Sequence, residues 1–185
     1  MKTEKEKMLA GEYYYASDEQ LTLDREKARM LTHEFNHLKP TDMSYGKELI
    51  KKLIQAKGEF NLEQPFYCDY GYNIEVGNHF FANFGCTILD VCKVTIGDNV
   101  LFAPHVQIYT ATHPIDPIER SSGKEYAKPI TIGNNVWIGG NAVVCPGVTI
   151  GDNTIIGAGS VVTKDIPANV IAGGNPCKVI RSIYE

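Results

Sequence analysis

His113 is the residue best placed to do chemistry. It stands beside Pro114 in a stretch, Ala111 to Pro129, that also holds a Ser121-Ser122-Gly123 turn and Glu125. An imidazole titrates near neutral pH, so it can take a proton from a hydroxyl as a bond forms. Residue types alone leave two readings open, a general base and an ordinary polar loop residue. Glu125 could fix the tautomer of such a base, and a backbone carbonyl could do the same. Asp69 offers two acceptor oxygens, and Asn83 offers a donor and an acceptor. Both suit a hydroxyl-rich ligand, although Asn83 could equally ladder along a repeat. Asp90 is a further carboxylate of undefined direction. Lys178 and Arg181 follow Pro176 in a region that is otherwise acidic, with 7 basic and 11 acidic residues over 61–185. They suit phosphate groups, or they are scattered solvated cations. Gly173-Gly174 lets backbone approach a ligand closely, or makes a tight turn.

The other candidates are weaker. His33 and His37 lie four apart on an expected helix, but zinc needs more ligands than this stretch supplies, so no metal is expected. His79 and His105 fall in repeat turns or on outward positions, where either could border a cleft. Five cysteines lack close metal-binding pairs, and Cys86 and Cys92 read as small core residues. No Gly-x-Gly phosphate loop is present. The net charge of -4 argues against a nucleic-acid partner. No run is long and apolar enough for a membrane span, and the Lys/Glu-rich start does not read as a signal peptide. A cytoplasmic location is therefore expected.

The element that must position these residues is a repeat. Ile132, Ile138, Val144, Ile150, Ile156 and Val162 recur every six residues, and Val136, Ala142, Val148, Thr154 and Ser160 follow at offset four. A period of six fits neither a helix nor a single strand. It fits short flat strands separated by turns, stacked into a β-solenoid. Turns are expected at Gly133-Asn134-Asn135 and Gly151-Asp152-Asn153, because Gly and Asn tolerate the left-handed region. An earlier block, Val76, Ala82, Ile88 and Val94, carries the same period. Between Val94 and Ile96 the phase slips by two, which a turn or bulge must absorb. From Ile108 to Ile132 the spacing keeps phase, but Pro114, Arg120 and Tyr126 cannot line a narrow coil. Ala111 to Pro129 is therefore read as a loop thrown out of the solenoid, and long loops in compact folds usually serve function.

Ahead of the repeat, Glu4 to Ala10 reads as a short helix stopped by Gly11. Tyr13, Tyr14 and Tyr15 form an aromatic patch. Ser17 with Gln20 reads as a capping box for a helix whose face is Leu23, Lys27, Leu31 and Phe35. A third helix, capped by Thr41 or Ser44, carries Tyr45, Leu49, Ile50, Leu53 and Ile54 up to Gly58. Residues 1–60 are then a helical cap and residues 61–185 the solenoid. The cap is either purely structural or walls a cleft, with Tyr13–Tyr15 and Arg25 facing the ligand.

The repeat resembles that of the hexapeptide-repeat acyltransferases, which implies a mainly β, left-handed parallel β-helix. The segments Asp69 to Ile74, Phe81-Ala82-Asn83, Tyr109 to Pro114, Ile130 to Gly140 and Gly173 to Pro176 narrow the resemblance to the maltose and galactoside O-acetyltransferases. Glu4-Lys5-Glu6-Lys7-Met8 and Cys68-Asp69-Tyr70-Gly71 are most similar to the maltose branch. This resemblance implies acetyl transfer from acetyl-CoA to a sugar hydroxyl, with His113 as general base and a homotrimer holding its sites between subunits. It implies acceptor contacts at Asp69, Asn83 and Phe81, where Asp69 replaces a serine and Phe81 a tyrosine of the galactoside branch. It implies CoA contacts at Gly140, Ala158, Thr163 and Lys164, with Lys178 and Arg181 toward the nucleotide phosphates. Trp137 is then either a neighbour of the pantetheine arm or a subunit contact. A galactoside or other small acceptor is the alternative substrate, and a noncatalytic binding or scaffold module the alternative class.

Overall fold

A computed structural model describes residues 1–185. Three helices lead into a left-handed parallel β-helix. The coil has three faces. Face one stacks Gln55–Ala56, Ile74–Val76, Val94–Ile96, Ile130–Ile132 and Thr149–Ile150. Face two stacks Phe60–Leu62, Phe80–Ala82, Leu101–Phe102, Trp137–Ile138, Ile155–Ile156 and Val170–Gly173, and is closed by the antiparallel strand Lys178–Ser182. Face three stacks Tyr67–Cys68, Thr87–Leu89, Gln107–Tyr109, Val143–Val144 and Val161–Val162.

The sixfold series points inward as its period requires. Ile132, Ile138, Val144, Ile150, Ile156 and Val162 are all buried, and so are the offset-four residues Val136, Ala142, Val148, Thr154 and Ser160. Cys86 and Cys92 are buried free thiols. Within the strands of this series the residue before each inward position, such as Thr131, Trp137, Val143, Thr149, Ile155 and Val161, is exposed or half-buried, the alternation a one-sided strand needs.

The phase slip sits in one edge of the coil. Val76 pairs with Ile96, 20 residues on, whereas Ile132 pairs with Ile150, 18 residues on. The extra residues fall at Asp90–Lys93, on the edge between faces three and one. Asp69–Asn73 stacks against this corner, and the Ala111–Pro129 excursion leaves the coil from the same edge. Three irregular segments thus share one edge, while the other two edges stay regular.

The turn chemistry differs from the sequence expectation in one respect. Asn135 and Asn153 adopt positive φ, 56° and 57°, and Gly133 does not. The glycine is needed for space instead, because a Cβ on Gly133 would lie 2.2 Å from Asp152 Oδ1. That oxygen accepts from the Asn134 amide. Asn side chains also ladder, from Asn99 to Asn135, then Asn153 and Asn169.

The excursion is not a plain loop. Ala111–Thr112 pairs antiparallel with Lys124–Ala127, and a short helix, Pro117–Ser121, capped by Asp116, lies between them. Lys124–Ala127 also pairs with Tyr14–Tyr15. Two-residue strands carry no readable period, so the sequence could not show this sheet.

The helices differ from the sequence expectation in their caps, their packed faces and the end of the third. Helix α1 is Glu4–Leu9, with Gly11 at φ 72° after it. Helix α2, Glu19–Asn36, is capped by Asp18, which accepts from Leu21, and not by a Ser17–Gln20 box. Its buried residues are Leu21, Asp24, Ala28, Thr32 and Phe35, while Leu23 is exposed. The polar Asp24 can occupy that face because Lys5, Gln20 and Tyr72 satisfy its carboxylate. Helix α3, Met43–Leu53, follows a 3-10 turn at Pro40–Asp42 and has no side-chain cap at Thr41 or Ser44. Tyr45 lies outside its packed face and bonds Glu34. The chain passes from α3 directly into Gln55–Ala56, so Gly58 sits in a coil corner against Asn78. Ala28, Phe35, Leu49, Ile50 and Leu53 join the solenoid residues in one continuous core.

Candidate active site

The edge that carries the irregular segments forms a cleft of about 350 Å³. Asp69 and Tyr70 come from the first corner, Leu89 and Val91 from the second, and Ala111, His113 and Glu125 from the excursion. Tyr14, Ala16, Arg25 and Arg29 come from the N-terminal segment. The structure therefore brings together His113, Glu125, Asp69 and Arg25 from positions as much as 100 residues apart.

His113 is exposed at this cleft, directly after the strand Ala111–Thr112. Pro114 beside it is buried and anchors the turn. No hydrogen bond joins Glu125 to His113. Glu125 Oε2 instead accepts from the Tyr14 hydroxyl at 2.7 Å, because the strand register sets these two residues opposite one another. The expected carboxylate–imidazole pair is thus not formed in this chain.

Asp69 is half-buried, and no hydrogen bond occupies its carboxylate. Burial raises its pKa, the Arg25 and Arg29 charges oppose that rise, and Glu125 adds to it. Arg25 is largely committed to structure. Its guanidinium donates to Tyr70 Oη, to the Ala16 carbonyl and to Thr22 Oγ1. Burial pushes the Tyr70 phenol up to about 12, against the pull of Arg25. Arg29, which sequence reasoning passed over, lines the same cleft without a hydrogen-bonded partner. Its signal was its place one helical turn after Arg25.

Asp90 does not face the cleft. It is fully buried, and its Oδ1 accepts from the amides of Asp69 and Tyr70 at 3.1 and 2.9 Å. Its Oδ2 accepts from the Asn73 amide at 3.2 Å. Its role in this chain is to hold the Asp69–Asn73 corner, so it is a support of the site and not a ligand contact. Sequence position beside the phase slip could not reveal that direction.

Asn83 and Phe81 lie elsewhere. Asn83 follows the face-two strand Phe80–Ala82, at the edge between faces two and three, and its side chain accepts from the Phe84 amide. Phe81 lines a separate, more apolar hollow of about 200 Å³ beneath α3, with Phe60, Met43 and Ile50. That hollow contains no histidine, and its titratable groups are Lys47 and Glu63.

The expected donor residues divide in the same way. Gly140 and Ala158 stack on the same edge as Asn83 but one position on, in the column that begins with Phe84 and Pro104, and the Gly159 amide donates to the Gly140 carbonyl. In the column that continues from Asn83, a Cβ at Gly139 would lie 2.5 Å from the Ala158 nitrogen, so that position has room only for glycine. Thr163 and Lys164 are exposed at the other edge, after Val161–Val162. Lys178 pairs with Gly173 and Arg181 with Ile171. Gly173 and Ile171 are two apart and share a face. Lys178 and Arg181 are three apart, and they share that face only because the strand bulges between them.

On face two, Phe81, Leu101, Trp137, Ile155 and Ile171 form an outward column of apolar side chains. Leu101 is 47% exposed and Trp137 is 51% exposed. The rings of His33 and His37 lie 4.2 Å apart between centroids, tilted by 40°, on the exposed side of α2.

Comparison with known proteins agrees with this architecture. Residues 7–58 match the maltose acetyltransferase hexapeptide capping motif, and residues 129–164 match the bacterial transferase hexapeptide (six repeats). A maltose O-acetyltransferase structure from Clostridium difficile 630 is 56% identical, with a TM-score of 0.98 over 100% of this chain and 99% of that one. A galactoside acetyltransferase solved with coenzyme A is 47% identical, with a TM-score of 0.95 over 99% and 92% of the two chains. The galactoside O-acetyltransferase of Escherichia coli K12 is 50% identical over 97% of this chain and 89% of its own. With such identity along nearly its whole length, and with the capping motif and the six-residue repeat both in place, the chain belongs to the hexapeptide-repeat acetyltransferases, in the group that contains the maltose and galactoside O-acetyltransferases.

Proposed function

We propose that this protein transfers an acetyl group from acetyl-CoA to a hydroxyl of a small sugar, without a covalent enzyme intermediate. The observation that carries this reading is the exposed His113 in a cleft with the unpaired carboxylate of Asp69 and the half-buried Glu125, within this family's fold. An imidazole nitrogen of His113 takes the proton of the attacking hydroxyl. The hydroxyl oxygen bonds to the acetyl carbon as the carbon–sulfur bond breaks. His113 then returns the proton to the departing thiolate, which restores the base. Asp69 receives sugar hydroxyls, a role that favours a polyol over a simple alcohol.

The donor fits the chain's own residues. The small-residue column of Gly140 and Ala158 leaves room for an extended arm along the edge, with backbone groups beside it. Lys178 and Arg181 supply two cations on one face for the nucleotide phosphates.

We also infer a homotrimer. Asp69 and His113 lie on one edge, Asn83 on another, and Thr163 and Gly140 repeat that division for the donor. Apposing the two edges from neighbouring copies reunites both sets. The apolar column of Leu101 and Trp137 suits contact between copies. Asp69 and Phe81 then tune the acceptor pocket together, toward glucose or maltose and away from β-galactosides.

The test is release of free CoA from acetyl-CoA, with and without glucose, maltose, a β-galactoside and a non-sugar alcohol. Sugar-dependent release is expected, and His113→Ala should lower kcat by about 10²–10⁴-fold while CoA affinity holds. Sugar-independent release, or near-normal turnover in folded H113A, would defeat the reading. Sedimentation equilibrium tests assembly. A single-chain mass, 20.5 kDa, with full activity would exclude the trimer.

A further inference from the structure

The Tyr14–Glu125 pair joins the N-terminal segment to the cleft. The two residues are direct partners across an antiparallel register, and the Tyr14 hydroxyl donates to Glu125 Oε2 at 2.7 Å. Tyr14 is 1% exposed, whereas Glu125 is half-buried and lines the cleft with Asp69 and His113. Burial and the adjacent carboxylate both push the Tyr14 pKa upward, burial the more, so the phenol stays a neutral donor at physiological pH.

The strand that delivers Tyr14 is itself held in several ways. The Tyr15 amide donates to Glu4 Oε2 at 2.7 Å. Tyr13 meets Tyr126 edge to face, with ring centroids 5.1 Å apart. Tyr14 packs with Met8, Leu21, Tyr70 and Ala127 in a buried cluster distinct from the solenoid core. The phenol is therefore a fixed point from which the carboxylate is held.

A carboxylate has about four lone-pair positions, and Tyr14 engages one of them. No other hydrogen bond reaches the Glu125 side chain, so Oε1 is left uncommitted in the cleft. A free glutamate would lose rotamer freedom when a ligand bound to it. One already held by a buried donor avoids most of that cost.

We propose that Tyr14 is a positioning residue for acceptor binding, holding Glu125 so that Oε1 accepts a hydroxyl of the sugar. The proposal rests on the sugar-acceptor reading above. It makes the N-terminal segment part of the acceptor site, and it replaces the tautomer-fixing role expected for Glu125 with a ligand-binding one.

Tyr14→Phe removes one oxygen and keeps the buried ring. Steady-state rates on glucose and maltose, together with melting temperatures, are measured for wild type, Y14F, E125A and the double variant. Y14F should raise the acceptor KM by about three- to tenfold, the scale of one charge-assisted hydrogen bond. Its kcat and its KM for acetyl-CoA should stay within about twofold, a split that simple loss of packing does not produce. In the E125A background, Y14F should have no further effect on acceptor KM, because its partner is gone. An unchanged acceptor KM in Y14F, or the same fold-change in both backgrounds, would overturn the proposal. Should Y14F fail to fold, E125A decides alone. An acceptor KM no different from wild type in folded E125A also overturns it. Absence of sugar-dependent CoA release in wild type would defeat the parent reading instead, and is distinguishable from all of these outcomes.

Discussion

Replacing Asp90 by alanine tests the idea that the site is held from behind by one buried carboxylate. The three amides of Asp69, Tyr70 and Asn73 would lose their acceptor. Each orphaned amide costs about 1–3 kcal/mol. Relief of the buried carboxylate's own desolvation offsets several kcal/mol of that sum. The net expected loss is about 3 kcal/mol, or a fall in Tm of about 6–12 °C for a chain of this size. The loss should also depend on pH. Burial raises the Asp90 carboxyl to about 7, against the pull of its amide partners and with a push from Asp69. A carboxyl raised on folding binds protons more readily in the folded state than in the unfolded chain, where its pKa is near 3.8. Its contribution to stability is therefore greatest at low pH and declines as pH rises from about 4 to about 7. The gap between wild type and D90A should narrow over that window. Urea unfolding of both proteins at pH 4.5, 6 and 7.5 reads this directly. A loss below about 0.5 kcal/mol, or a gap that widens with pH, would refute the assigned role.

Gly133→Ala should destabilise the coil by about 2–4 kcal/mol, since the new Cβ meets Asp152 Oδ1 and displaces its bond to the Asn134 amide, and a denaturant midpoint checks it. Replacing Lys178 and Arg181 by alanine should weaken CoA more than dephospho-CoA in calorimetric titration, and equal losses would show that neither cation recognises the extra phosphate. In an Asp69→Ser, Phe81→Tyr double variant, kcat/KM for maltose and for a β-galactoside should converge, by about five- to a hundredfold in selectivity. An equal fall for both sugars would mean that these residues support the site without selecting the acceptor.

The sixfold apolar series by itself determined the solenoid, because a residue that recurs every six positions can face one interior only if the chain turns at each recurrence. It also determined where regularity stops, since Pro114, Arg120 and Tyr126 cannot replace Ile or Val inside a narrow coil. The site candidates His113, Glu125 and Asp69 were legible from residue type and context. Their convergence was not. Only the stacking of three irregular corners on one edge puts Asp69 beside residues some 45–55 positions later, and stacking is a property of coil length, not of local pattern. Hydrophobic periodicity points to Leu23 on α2 because the buried face is occupied instead by the polar Asp24, satisfied by Gln20 of the same helix and by Lys5 and Tyr72 from two other segments. The direction of Asp90, the shared face of Lys178 and Arg181, and the Tyr14–Glu125 bond were decided by tertiary structure. Each depends on a corner, a bulge or a two-residue strand, where side-chain direction follows from long-range backbone pairing that no short window of sequence contains.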